Sequence, residues 1–168
     1  MTIQFSQYGE LVSTLEHLLG EALFFFQHDP LWEGRTGAYF CLADAKTGDL
    51  LFAPVAIGPV PKEKAKKYLA LCQEKAKRLA SHTDHLASSE SRNSDVGQWG
   101  GAVRAGDVIL SMSGLPEMGD EALMFVLAEI YVATSVGSGS VMLGFGAVVA
   151  INANPYWRPL RGFLGRLV

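Results

Sequence analysis

Residues Trp99 to Thr134 constrain this chain more than any other stretch. Gly100-Gly101-Ala102-Val103-Arg104 leads into a tight turn at Ala105-Gly106-Asp107, and the apolar run Val108-Ile109-Leu110-Ser111-Met112 follows. Two short β runs joined through Gly-Asp predict a hairpin, because glycine accepts the positive φ that tight β-turns require. Gly114-Leu115-Pro116 breaks the run, and Pro116 suits the first turn of a helix. Glu117 and Asp120 complement the positive end of that helix, while Ala122, Leu123, Val126, Leu127 and Ile130 recur at helical spacing. The helix is expected to lay one face on the sheet. A hairpin followed by a covering helix is the end of an α+β sandwich.

Upstream, Ser6 is placed to cap a long first helix running to about His28. Its apolar rhythm is Tyr8, Leu11, Val12, Leu15, Leu18, Leu19, Ala22, Leu23 and Phe26. Asp29-Pro30 stops it. Ala38 to Ala45 and Leu50 to Ile57 read as two strands around the turn Asp44 to Asp49, so apolar that both faces of the sheet should be covered. After Pro61 a second long helix runs to about Ser81. Its apolar stripe is Ala65, Tyr68, Leu69, Cys72, Ala76, Leu79 and Ala80, and Lys62, Lys66, Lys67, Glu74, Lys77 and Arg78 form the opposite face, which could bind anions but more often is merely solvated.

From Ser135 the character changes. Residues 136–140 are a Gly-Ser linker, Val141 to Ile151 is a glycine-interrupted apolar run, and Trp157, Leu160, Phe163, Leu164 and Leu167 share one helical spacing. The chain therefore divides into an α/β domain, 1–134, and an apolar, basic extension, 135–168. The three charged side chains after Glu129 are all arginines, Arg158, Arg161 and Arg166. Residues 155–168 could touch a membrane surface, but packing on the domain or on a second subunit is the stronger expectation. A core for three helices and a sheet leaves little room for so much apolar surface, so a homo-oligomer is expected.

With 168 residues, 49% of them hydrophobic, the chain has enough apolar surface for a substantial core. A net charge of −3 gives no footprint for nucleic acid. The N-terminus lacks the pattern of a signal peptide and the longest apolar run is too short to span a bilayer, so a soluble cytoplasmic protein is expected. Cys41 and Cys72 each lie in an apolar pattern and are expected to be buried, reduced thiols.

Several residues carry possible chemistry. His82 and His85 flank Thr83-Asp84, and imidazoles three apart can meet on one helical face to hold a metal or haem iron. The same tetrad would be the best catalytic set if the protein were an enzyme. Ser88, Ser89, Ser91 and Ser94 lie nearby, but no nucleophile elbow surrounds them. Gly100 and Gly101 could offer bare amides to an anion. Trp99 and Arg104 flank that pair, and Ser111 and Ser113 alternate along the strand so as to face one side.

Taken in order, the pieces Leu42-Ala43-Asp44, Gly48-Asp49-Leu50-Leu51, Gln73-Glu74-Lys75-Ala76, Gly100-Gly101, Ala105-Gly106-Asp107-Val108-Ile109, Ser113-Gly114 and Asp120-Glu121-Ala122 make a recognisable series. Over residues 6 to 134 the chain resembles the GlcG/HbpS-like family, which includes haem-binding proteins. The resemblance implies a profilin-like α/β sandwich, an antiparallel sheet flanked by long helices, commonly oligomeric. It also implies a small-molecule-binding protein, with haem or another tetrapyrrole as ligand. The candidate ligand-binding set is then His82, His85, Trp99, Gly100, Gly101, Arg104, Ser111 and Ser113, with His82 and His85 as metal ligands. The alternatives are a structural or assembly role, or an enzyme using the His82, Asp84 and His85 loop.

Overall fold

A computed structural model describes residues 5–135 and 153–164. It shows an α+β sandwich around one four-stranded antiparallel sheet. Strand β1 (Ala38–Asp44) pairs on one side with β2 (Val55–Ile57) and on the other with β4 (Val108–Ser113), which pairs with β3 (Ala102–Ala105). The β3–β4 hairpin forms as expected, with Ala105 opposite Val108 and Gly106 at φ 64° in the two-residue turn.

The second strand is shorter than its apolar run suggests. Only Val55–Ile57 pair continuously with β1; Leu50 makes a single bridge to Ala43, and Pro54 brings no amide to a ladder. The sheet's other edge is covered. Residues 86–88 run beside β3, with Ala87 bridging Val103 and the Arg104 amide donating to the Leu86 carbonyl at 2.8 Å. What reads as a polar loop, 82–98, therefore closes an exposed edge.

Strand alternation divides the core into two layers. Phe40 and Leu42 of β1 and Leu110 and Met112 of β4 face α1 (Phe5–Phe25) and α3 (Glu117–Ser135). Cys41, Ala43 and Ile109 face α2 (Lys62–Ser81), whose Cys72, Ala76, Leu79 and Ala80 cover them. The spacing of α1 is realised: Leu11, Leu15, Leu18, Leu19 and Ala22 are all buried. The helix ends at Phe25, three residues before His28.

Helix α3 does more than lay one face on the sheet. Every residue from 119 to 128 is buried, because the sheet lies on one side and α1 and α4 (Trp157–Leu164) lie on the other. The described part of the C-terminal extension thus joins the core of its own domain. Tyr156 sits edge-on to Phe26 and Trp32 at 4.8 and 5.3 Å between ring centres. Its hydroxyl donates to Asp29 Oδ2 at 2.8 Å, and Arg161 pairs with Glu129 at 3.0 Å. The run Val141–Ile151 lies outside the described residues. Among the described residues, no helix is long and apolar enough to cross a membrane.

Candidate functional site

The start of α3 points its acids into the protein. Asp120 is buried and faces Lys75 of α2 across 3.1 Å, so the carboxylate expected to serve the helix dipole is half of a buried ion pair. Lys75 Nζ also donates to the Met112 carbonyl at 2.8 Å, and Asp120 Oδ1 accepts the Leu115 amide at 3.0 Å. Burial raises the Asp120 carboxyl above its ordinary value, opposed by the Lys75 charge and these hydrogen bonds. Lys75 escapes notice on a lysine-rich helix. Its signal is positional: 68, 72, 75 and 79 form one row of α2, and Lys75 is the charged member of that row.

Beside the pair lies Glu121, also buried. Burial raises its carboxyl, Ser89 and the Gly101 amide partly oppose that, and nearby Glu117 adds to the rise. Its Oε2 atom is buried, with no hydrogen-bond partner among the described residues.

Gly100 and Gly101 pass directly over these groups. The Gly100 amide donates to Glu117 Oε1 at 2.6 Å, so the bare amide does hold an anion, but the protein's own. Gly101 has φ 118°, and a side chain there would meet Lys75 Nζ and Asp120 Cβ at 2.8 Å. Glycine is required at 101 by the ion pair beneath it.

Above the pair is a cleft of about 280 Å³ between α2 and the β4–α3 turn. Trp99 and Ser113, both singled out from sequence, line it. So do Arg35, Lys67, Tyr68, Lys75, Glu117 and Asp120, of which the sequence reading named none as a ligand-binding residue. Arg35 Nη1 donates to the Tyr68 hydroxyl at 3.3 Å and the Gly114 carbonyl at 3.0 Å, which orients the guanidinium at the rim. The cleft's carboxylates are compensated internally, Asp120 by Lys75 and Glu117 by Arg92 at 3.0 Å. Among the described residues, neither Arg35 nor Lys67 is in an ion pair.

The remaining candidates go elsewhere. Ser111 shares the α2-facing side of β4 with Ser113, as expected, but its hydroxyl donates to the Cys72 carbonyl at 2.7 Å beneath the helix. Arg104 is a clamp on the end of α2. It donates to the carbonyls of Ala45 and Leu79 at 2.7 Å each, and to those of His82 and His85 at 3.1 Å. Arg78, expected on a solvated face, is buried; it reaches the carbonyls of Ser88, Ser91 and Trp99 and anchors the 88–99 segment.

His82 and His85 do meet, with their rings stacked 4.6 Å apart and 14° from parallel. Imidazole lone pairs lie in the ring planes, so two rings stacked face to face point their nitrogens side by side and not at one iron between them. The stacked pair does not fit a haem ligated by both histidines. The cavity beside His82, about 500 Å³, is lined by Glu74, Lys77, Arg78, Ser81, Ser91 and Gln98. Among the described residues, no group of three or more His, Cys, Asp or Glu side chains is placed to hold a metal ion. Comparison with family models, with curated proteins and with solved structures returned no match.

Proposed function

We propose that this protein binds a small organic anion in the cleft between α2 and the β4–α3 turn. The observation that carries the reading is the imbalance of compensation there: both acids are in ion pairs, while among the described residues Arg35 and Lys67 are not. An anion entering the cleft meets the Arg35 guanidinium, held at the rim by Tyr68 and the Gly114 carbonyl, together with the Lys67 ammonium, the Ser113 hydroxyl and the Trp99 ring. The volume, just below the usual range for small-molecule sites of about 300–1,000 Å³, suits a ligand smaller than a tetrapyrrole. The arrangement supports binding rather than a defined reaction.

Amide NMR spectra recorded with a panel of small carboxylates and phosphates test this. At least one should shift resonances of residues 67–75 and 113–117, and Lys67→Glu should weaken that response about tenfold, since it places a like charge at an exposed rim. Haemin is titrated in parallel. A panel that leaves the cleft resonances unmoved, or a Soret shift abolished by replacing His82 and His85, would reject the proposed ligand class.

A further inference from the structure

Cys41 of β1 and Cys72 of α2 face one another across the sheet–helix interface with their sulfurs 3.0 Å apart. Both side chains are fully buried. The geometry points to a covalent modification site: we infer that Cys41 and Cys72 join as an intramolecular disulfide when the protein meets a peroxide.

Three features favour it. The sulfurs stand about 1 Å beyond the bonded distance of roughly 2.05 Å, so closure needs only a small approach of α2 to β1. Register holds the partners in place: Cys41 lies opposite Ser111, whose hydroxyl donates to the Cys72 carbonyl and whose carbonyl accepts from Cys72 Sγ at 3.2 Å. The burial that protects the thiols also excludes bulky disulfides such as oxidised glutathione, while hydrogen peroxide is near the size of water.

The chemistry balances without any further group. One sulfur displaces hydroxide from the peroxide O–O bond and becomes a sulfenic acid, its thiol proton leaving with the hydroxide as water. The second sulfur attacks the first, the S–S bond forms, and the sulfenic hydroxyl departs with the second thiol proton as another water. Two thiols and one peroxide give one disulfide and two waters. Burial pushes the Cys72 thiol well above its ordinary value, and the adjacent Cys41 adds to that, so the reaction is slow in the closed protein and proceeds as α2 breathes.

The partners are 31 residues apart in sequence, so the bond would close a long loop in the unfolded chain and raise the melting temperature. The test treats the full-length native protein with hydrogen peroxide, alkylates it in denaturant and maps the peptides by mass spectrometry. A linked pair carrying Cys41 and Cys72, absent after oxidised glutathione and reversed by dithiothreitol, is the expected result, with a higher melting temperature in the oxidised form. Full alkylation of both cysteines after peroxide, their recovery as sulfinic or sulfonic acids, or links between chains would overturn the inference. Cys41→Ser and Cys72→Ser supply the control, because each must lose the linked peptide. Should either variant fail to fold, the peptide map of the unaltered protein still decides.

Discussion

Lys75, Asp120 and Glu121 place three ionisable side chains where α2, α3 and the glycine turn converge. Two of them neutralise each other, which is how a protein tolerates buried charge: an opposite partner and hydrogen bonds offset the loss of water. Among the described residues Glu121 has no such partner for Oε2, and its raised carboxyl sets a sign for stability. Its contribution is whole below its ordinary value of 4.5 and is lost as pH rises through the raised one, because ionisation then favours the unfolded chain. Glutamine cannot ionise and can donate toward Glu117. Glu121→Gln is therefore expected to equal the unaltered protein near pH 4 and to exceed it by about 1–3 kcal/mol near pH 8, the scale of an unmet buried polar group. Urea unfolding at both pH values checks this, and an advantage that shrinks as pH rises contradicts the assignment. At this scale sequence reading was weakest. Asp120 fits a helix dipole and Arg104 fits a pocket wall equally well on paper. Their partners lie in distant parts of the chain, Lys75 being 45 residues from Asp120, and nothing local announces the pairing.

Helices and the hairpin were the legible part, since their signals are local. The apolar period of α1, the Gly106-Asp107 turn and Pro116 before α3 each act within a few residues. The second strand misled because an apolar run says nothing about whether a partner strand is within reach. Helix α3 misled in the other direction: Met124 and Phe125 fall off the expected face but are buried, since α1 and α4 also pack against this helix, the latter an element docked from beyond residue 152. That docking is testable through Tyr156. Tyr156→Ala removes a buried ring from the cluster with Phe26 and Trp32 and should cost about 3–5 kcal/mol in urea unfolding. Tyr156→Phe keeps the ring, loses the hydrogen bond to Asp29, and should cost about 1 kcal/mol. Equal costs for the two would mean that the hydroxyl, not the packing, holds this segment.

Across the whole molecule, both faces of the sheet are covered, yet apolar surface remains outside. Phe24, Phe25 and Leu31 are 71%, 53% and 64% exposed at the end of α1 and just beyond. With the apolar run at 141–151 in the same chain, this surface leads us to expect at least a homodimer, since exposed apolar patches mark association. Light scattering should give a mass at or above twice that of one chain, and Phe24→Glu with Phe25→Glu should lower it. A monomeric mass for the unaltered protein removes the expectation. The sheet order carries one more consequence, for how the chain is made. Its central pair is β1 with β4, so Tyr39 must find Ser113, and contacts so distant in sequence form slowly. On the ribosome β1 and α2 emerge long before β4 and the first turn of α3. Until then β1 has a three-residue neighbour on one side and none on the other, and Lys75 has no Asp120 to meet. Closing the sheet and neutralising that lysine therefore belong to a single late event, and a nascent chain stalled before residue 120 would expose to chaperones the very surfaces that later form the cleft.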